Sequence, residues 1–186
     1  MPARMPRRLL MLLCLAALAP GLAACGEKDT EQGVDEAARE GLALPLEGID
    51  YNVFITRQLN PRITPDKAYV DPGTEADATH TLYGVFLQAC NRGEQSSQTA
   101  DSFKIVDNQG NEFEPESLPE DNDFAYHAKT LAPNECIPEA GSVAQLGPTA
   151  GSMLLFRLPL ANTEYRPLEL DIEGPKGGRL TFDLDI

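Results

Sequence analysis

Hydrophobic positions fall into three regimes along the chain. Leu9 to Leu22 is almost wholly apolar, broken only by Pro20 and Gly21. Residues 26 to about 44 are polar, with few large apolar side chains. Such a stretch cannot bury enough surface to fold by itself. From Tyr51 onward the pattern turns to period two, the mark of half-buried strands. Tyr51, Val53 and Ile55 are predicted to share one face, with Asn52 and Thr56 mostly opposite. Thr81 to Cys90 is apolar on both faces, with Tyr83, Val85 and Leu87 set against Leu82, Phe86 and Cys90. That predicts a central strand covered on both sides.

The later segments repeat the alternation and add turn chemistry. Phe103 and Ile105 alternate with Lys104. Asp107-Asn108-Gln109-Gly110-Asn111 offers a glycine free to take positive φ, and Phe113 follows between Glu112 and Glu114. The combination predicts a hairpin with its acids toward solvent. Met153 to Leu158 is an apolar strand closed by Pro159. Leu168, Leu170 and Ile172 alternate with Glu169 and Asp171. After a turn over Gly174 to Gly178, Leu180, Phe182, Leu184 and Ile186 alternate with Thr181, Asp183 and Asp185. These last two strands are predicted to pair as an antiparallel hairpin.

Residues 115 to 151 are interrupted by Pro115, Pro119, Pro133, Pro138 and Pro148, with Lys129-Thr130-Leu131 compatible with a short strand. A long irregular connection is either a binding loop or a crossover between sheets, here pinned by Cys136. Val34 to Glu40 is compatible with a short helix. Seven or eight short strands with Gly/Pro turns predict an all-β fold, an antiparallel β-sandwich. The 15 prolines and 15 glycines suit such a loop-rich protein.

The apolar run at the start has the company of an export signal. Arg4, Arg7 and Arg8 precede it with no acid among them. A basic start, a short apolar core and small residues before the cut mark a signal peptide. The run is too short for a membrane span of about 20 residues, and Pro20-Gly21 would end a helix. Leu22-Ala23-Ala24-Cys25 resembles the lipobox of bacterial lipoproteins. The resemblance implies cleavage after Ala24 and lipidation of Cys25, which becomes the new N-terminus. The membrane is then a partner through that lipid, on its extracytoplasmic face. Two or more acyl chains anchor stably where one does not. Cys14 leaves with the signal, and an ordinary secreted protein with a chance cysteine is the alternative. Arg7-Arg8 also suits twin-arginine export.

The chain is thereby expected to divide into a signal peptide (1–24), a lipidated, flexible acidic tether (25–47) and a β-sandwich domain (48–186). Removing the three arginines deepens the formal charge from −14 to −17. Such a surface repels nucleic acid, so no nucleic-acid partner is expected. Cys90 and Cys136 remain as the spare cysteines, and an exported protein usually pairs them. A metal pair or two buried thiols are the alternatives, although only His80 and His127 are at hand as further nitrogen ligands.

A wider resemblance rests on a succession of segments. Leu82-Tyr83-Gly84-Val85-Phe86-Leu87-Gln88-Ala89-Cys90-Asn91 opens a turn, and Phe103 to Asp107 with Gly110 to Phe113 forms a hairpin. Leu131 to Cys136, Gly141-Ser142-Val143 and Leu154 to Pro159 follow. This order is similar to the telokin-like, immunoglobulin-like domains of many bacterial lipoproteins of unknown function, over residues 49 to 186. The resemblance implies an immunoglobulin-like sandwich and transfers no catalytic residue. The chain departs from true immunoglobulin domains in lacking Trp and in placing Asn134 two residues before Cys136, where a tyrosine corner would stand.

Little chemistry is visible. There is no Gly-x-Ser-x-Gly elbow, and Gly141-Ser142-Val143 and Gly151-Ser152-Met153 read as turns opening strands. No phosphate loop or dinucleotide fingerprint occurs. His80 and His127 read as loop or surface histidines. Glu112, Glu114 and Glu116 fall at period two, followed by Glu120, Asp121 and Asp123. Oxygen ligands on one strand face would suit calcium, but the order is not that of an EF-hand loop, and a solvated hairpin is simpler. The expectation is a non-enzymatic module, without cofactor or metal, that binds or scaffolds another envelope protein. The alternatives are a calcium-dependent surface module and, behind it, an envelope hydrolase using His127.

Overall fold

The computed structural model describes residues 37–186. The strands are, in chain order, β1 (Ala38–Arg39), β2 (Ala43–Leu46), β3 (Ile49–Leu59), β4 (His80–Asn91), β5 (Ser97–Gln98) and β6 (Ser102–Val106). There follow β7 (Glu112–Phe113), β8 (Thr130–Leu131), β9 (Cys136–Ile137), β10 (Ser152–Pro159), β11 (Leu168–Glu173) and β12 (Arg179–Leu184). One sheet has the order β1-β12-β11-β6-β7; the other runs β10-β4-β3-β2, with β9 beside the end of β4. β5 and β8 make a separate two-stranded ribbon. All pairs are antiparallel except β1 with β12. Seven of the strands have four or more residues, so the chain is an immunoglobulin-like β-sandwich of the expected size.

Alternation decides which side chains meet. In the β11–β12 hairpin Leu168 stands opposite Leu184, Leu170 opposite Phe182 and Ile172 opposite Leu180. These faces pack on Ile49, Tyr51 and Val53 of β3, Val85 and Leu87 of β4, and Phe156 and Leu158 of β10. Each such side chain contributes roughly 1.5–3 kcal/mol by leaving water. β4 is covered on its other face too. There Leu82 and Phe86 pack with Leu59, Met153, Leu155, Tyr69 and Val70 in a smaller cluster. Tyr69 and Val70 come from the loop between β3 and β4.

Four expectations change. A bulge between Val53 and Ile55 shifts the β3–β4 register by one residue. Period two therefore breaks there: Ile55 turns outward and is 42% exposed, while Thr56 turns inward and is 4% exposed. Second, the sheets begin before residue 48. Ala38–Arg39 lies on β12 and Ala43–Leu46 on β3, with Leu46 buried, so this part of the expected tether is sheet. Third, the expected helix over Val34 to Glu40 gives way at Ala38–Arg39 to a strand, because the edge of β12 supplies backbone partners; Val34 to Glu36 lie outside the described residues. Fourth, Gly141-Ser142-Val143 opens a single helical turn, α1 (Val143–Leu146), rather than a strand. Ser142 caps it, its hydroxyl accepting from the Gln145 amide at 3.2 Å.

Two turns show why particular residues stand where they do. Gly110 takes φ +80 in the β6–β7 hairpin, as its turn requires. The Asp107 carboxylate organises that turn, accepting from the Gln109 and Asn111 amides at 2.9 Å each. It also accepts from the side-chain amides of Asn111 at 2.8 Å and Asn162 at 2.9 Å. Gly151 takes φ +108 where the chain enters β10, and a Cβ there would stand 3.0 Å from the Leu87 amide nitrogen and carbonyl oxygen. Cys90 and Cys136 are directly opposed across β4 and β9 and are joined as a disulfide.

Candidate functional site

The irregular stretch after β7 is a crossover. Pro115 lacks an amide to continue the ladder, and the chain leaves the first sheet. The Glu116 amide then donates to the Leu155 carbonyl of β10, at 2.7 Å. The chain returns along the same edge, where the Tyr126 amide donates to Met153 O at 3.0 Å and the Met153 amide to Phe124 O at 2.6 Å. Between the outgoing and returning segments a groove of about 880 Å³ opens over the side of the sandwich.

Its floor is apolar. Phe103, Met153 and Leu154 line it from below and are all buried. Tyr126 forms one wall, edge-on to Phe103 with ring centroids 5.0 Å apart. The Tyr126 hydroxyl donates to Ala100 O at 2.9 Å. Burial, with Tyr51 close by, pushes that hydroxyl far above its ordinary pKa, so it stays neutral.

The rim is acidic. Asp101, Glu114 and Glu120 are exposed there and make no ion pair among the described residues. The cations beside them are already matched. Lys104 holds Glu112 at 2.6 Å, which raises the lysine pKa and lowers that of the glutamate. Arg157 holds Glu116 through Nε at 2.5 Å. His127 is exposed on the same rim.

The three period-two glutamates thus do not share a strand face. β7 ends at Phe113, so Glu112 pairs in the first sheet and Glu116 in the second. Glu120 reaches the groove, whereas Asp121 and Asp123 do not line it. Among the described residues no group of three or more His, Cys, Asp or Glu is placed to hold a metal ion. Cys25 lies outside the described residues. No linear signal marked Phe103 and Tyr126 as a floor and wall, since each is supplied by a different segment.

A second groove of about 590 Å³ lies near the β3–β4 loop, with Arg62, Asp66, Glu75 and His80 among its lining residues. Its charges are internally matched. Asp66 pairs with Arg57 and accepts from the Asn60 amide at 2.8 Å. Arg62 meets Glu75 at 3.1 Å, and His80 Nδ1 meets Asp77 at 3.0 Å. The Thr79 hydroxyl and His80 hold the Asp77 carboxyl well below the usual carboxylate range. The first groove, with its unmatched acids, is therefore the candidate site.

The architecture defines the class: an all-β, immunoglobulin-like sandwich with an acidic groove on its open side. No protein-family model matches the chain, and no curated protein matches it. Solved structures do. The yjhA protein of Bacillus subtilis matches with a TM-score of 0.51 at 12% identity, over 80% of this chain and 99% of that one. An uncharacterized β-sandwich protein of Clostridium difficile 630 matches with a TM-score of 0.49 at 13% identity, over 83% of this chain and 97% of its own. The first likeness shows a shared fold and carries no function across.

Proposed function

We propose that this chain is a lipid-anchored, extracytoplasmic lipoprotein whose sandwich binds or scaffolds another component of the cell envelope, without chemistry of its own. The resemblance of its succession of segments to telokin-like lipoprotein domains and the lipobox-like Leu22-Ala23-Ala24-Cys25 support the reading. The observation that carries the binding role is the groove, with its apolar floor of Phe103 and Leu154 and its unmatched acids Asp101, Glu114 and Glu120. Ligand sites join apolar lining to a few convergent polar groups in this way. Lipidated at Cys25, the chain would hold its sandwich close to the membrane, since residues 25–37 reach about 40 Å when extended. A mature charge of −17 sets it against nucleic acid and anionic headgroups.

Two measurements test this. The intact mass of protein extracted from membranes should show loss of residues 1–24 and acyl chains on Cys25, and Cys25→Ser should free the protein from the membrane. Cross-linking in intact cells followed by affinity recovery should return a reproducible envelope partner. Repeated recovery of the lipoprotein alone would overturn the binding role.

A further inference from the structure

We infer that the groove takes an extended, lysine- or arginine-bearing peptide segment, added as a short strand to the open edge of β6. The inference rests on the reading of the groove as a binding site and names its ligand class.

The first ground is the pairing of β6. One edge is fully occupied by β11, from Ser102 opposite Glu173 to Val106 opposite Glu169. The other edge pairs with β7 only at Ile105 and Val106. Along Ser102, Phe103 and Lys104 that edge has no strand partner among the described residues, and these three residues line the groove. Backbone groups alternate along the strand, so Phe103 turns its N–H and C=O to this open edge while Ser102 and Lys104 turn theirs to β11. Unpaired backbone donors and acceptors on a sheet edge are a template for another strand, and proteins usually blunt them. Two other edges are blunted here. β3 runs beyond its partner β2 past Asn52, but a bulge follows Val53, and Arg57 stands on that run tied to Asp66. The outer edge of β10 is occupied by the crossover at Glu116 and Tyr126. The β6 edge opens into a cavity instead. Three residues span about 10 Å, room for a segment of three or four residues.

The second ground is the chemistry around that edge. An added strand presents alternate side chains to the floor of Phe103, Leu154 and Tyr126, which selects apolar residues at every second position. Its remaining side chains meet a rim where Asp101, Glu114 and Glu120 make no ion pair among the described residues, while Lys104 and Arg157 are engaged by Glu112 and Glu116. A basic segment supplies the missing charge. The long-range field agrees, because a chain of formal charge −17 attracts a cationic partner and repels both an acidic one and a second copy of itself.

The test uses the mature chain purified in detergent and two blocked, fluorescent pentapeptides, Lys-Val-Lys-Val-Lys and Glu-Val-Glu-Val-Glu. The lysine peptide should bind at least ten-fold tighter than the glutamate peptide and weaken several-fold in 0.5 M salt. The combined variant Asp101→Asn, Glu114→Gln, Glu120→Gln should lose about ten-fold, as three exposed ion pairs allow, with its unfolding transition unmoved. Hydrogen exchange should slow at the Phe103 amide, which faces the open edge, when the lysine peptide is bound. Equal affinity for both peptides, no binding of either, or binding without protection of that amide would each overturn the inference. A cross-linked envelope partner found alongside any of these results would leave the binding reading standing and remove the strand-addition inference alone.

Discussion

Replacing Asp107 by Asn keeps the size of the side chain and removes its charge. In the native turn one carboxylate oxygen accepts from the Gln109 and Asn111 amides, and the other from the side-chain amides of Asn111 and Asn162. An asparagine serves the first pair with its oxygen. Its NH2 then faces two NH2 donors, so two charge-assisted bonds are lost and nothing replaces them. Hydrogen bonds to charged groups contribute about 1.5–3 kcal/mol each when partly buried, and the donors here retain access to water, so a net loss of about 2 kcal/mol is expected at pH 7. The pH dependence separates charge from shape. Burial pushes the Asp107 carboxyl up, and the bonds from Asn162, Asn111 and Gln109 outweigh it, leaving the pKa at about 2 against an ordinary 3.8. A folded-state pKa below the unfolded value contributes stability that is present above about pH 4 and is lost as the pH falls toward 2. Urea unfolding of the native protein and Asp107→Asn at pH 7 and at pH 2.5 should show a gap that narrows in acid. A gap of the same size at both pH values, or one below about 0.5 kcal/mol at pH 7, would refute the assignment of the stabilisation to the carboxylate.

Three further outcomes follow from single positions. Thr56 Oγ1 is buried with no hydrogen-bond partner among the described residues, so Thr56→Val should raise the urea midpoint, stabilising by about 1 kcal/mol, and a loss would mean that the hydroxyl is satisfied. Gly151→Ala forces a Cβ onto φ +108 and to 3.0 Å from the Leu87 backbone, and should cost about 2 kcal/mol or more in the same assay; a neutral result would contradict that backbone path. Reduction of Cys90–Cys136, which closes a separation of 46 residues, should lower stability by about 3–4 kcal/mol. The double variant Cys90→Ala, Cys136→Ala should match the reduced protein in urea, and insensitivity of the native protein to reductant would show that the bond is not formed.

The strands that carry the core were legible in two ways: by alternation over five residues, as in Leu168 to Ile172 and Leu180 to Leu184, and by continuous apolar runs, as in Thr81 to Cys90 and Met153 to Leu158. What escaped depends on partners distant in sequence. Ala38–Arg39 is a strand because the edge of β12, opposite Phe182 and Asp183, is there to receive it; nothing in its own two residues says so. The bulge after Val53 inverts a face that simple periodicity had assigned, and it shows only in the register against β4. Of the groove's acids, Glu114 and Glu120 were visible within an acidic run, though without their meaning, and Asp101 was not singled out at all. Lys104 and Arg157 neutralise Glu112 and Glu116 from two different sheets, and only after that subtraction do Asp101, Glu114 and Glu120 stand out. Phe103 read as an ordinary core residue, which it also is.

The smaller hydrophobic cluster gains a role from this geometry. The groove wall formed by residues 114–128 belongs to neither sheet ladder; it is bridged to the edge of β10 at Leu155 and Met153. A wall held only by a few edge hydrogen bonds would open readily, since segments with few buried contacts are the first to unfold locally. Here Leu118 and Phe124 hold it from behind, packed on the outer face of the second sheet. Phe124 stands edge-on to Tyr69 at 4.8 Å, and Tyr69 edge-on to Phe86 at 5.0 Å. Asn122 donates to Tyr69 O at 3.0 Å and receives the Phe124 amide at 3.0 Å. The Arg57 guanidinium lies 5.7 Å from the Tyr69 ring centroid while pairing with Asp66. The outer cluster thus supports the crossover from behind, through Tyr69 at its centre, on the side away from the acidic residues of the rim.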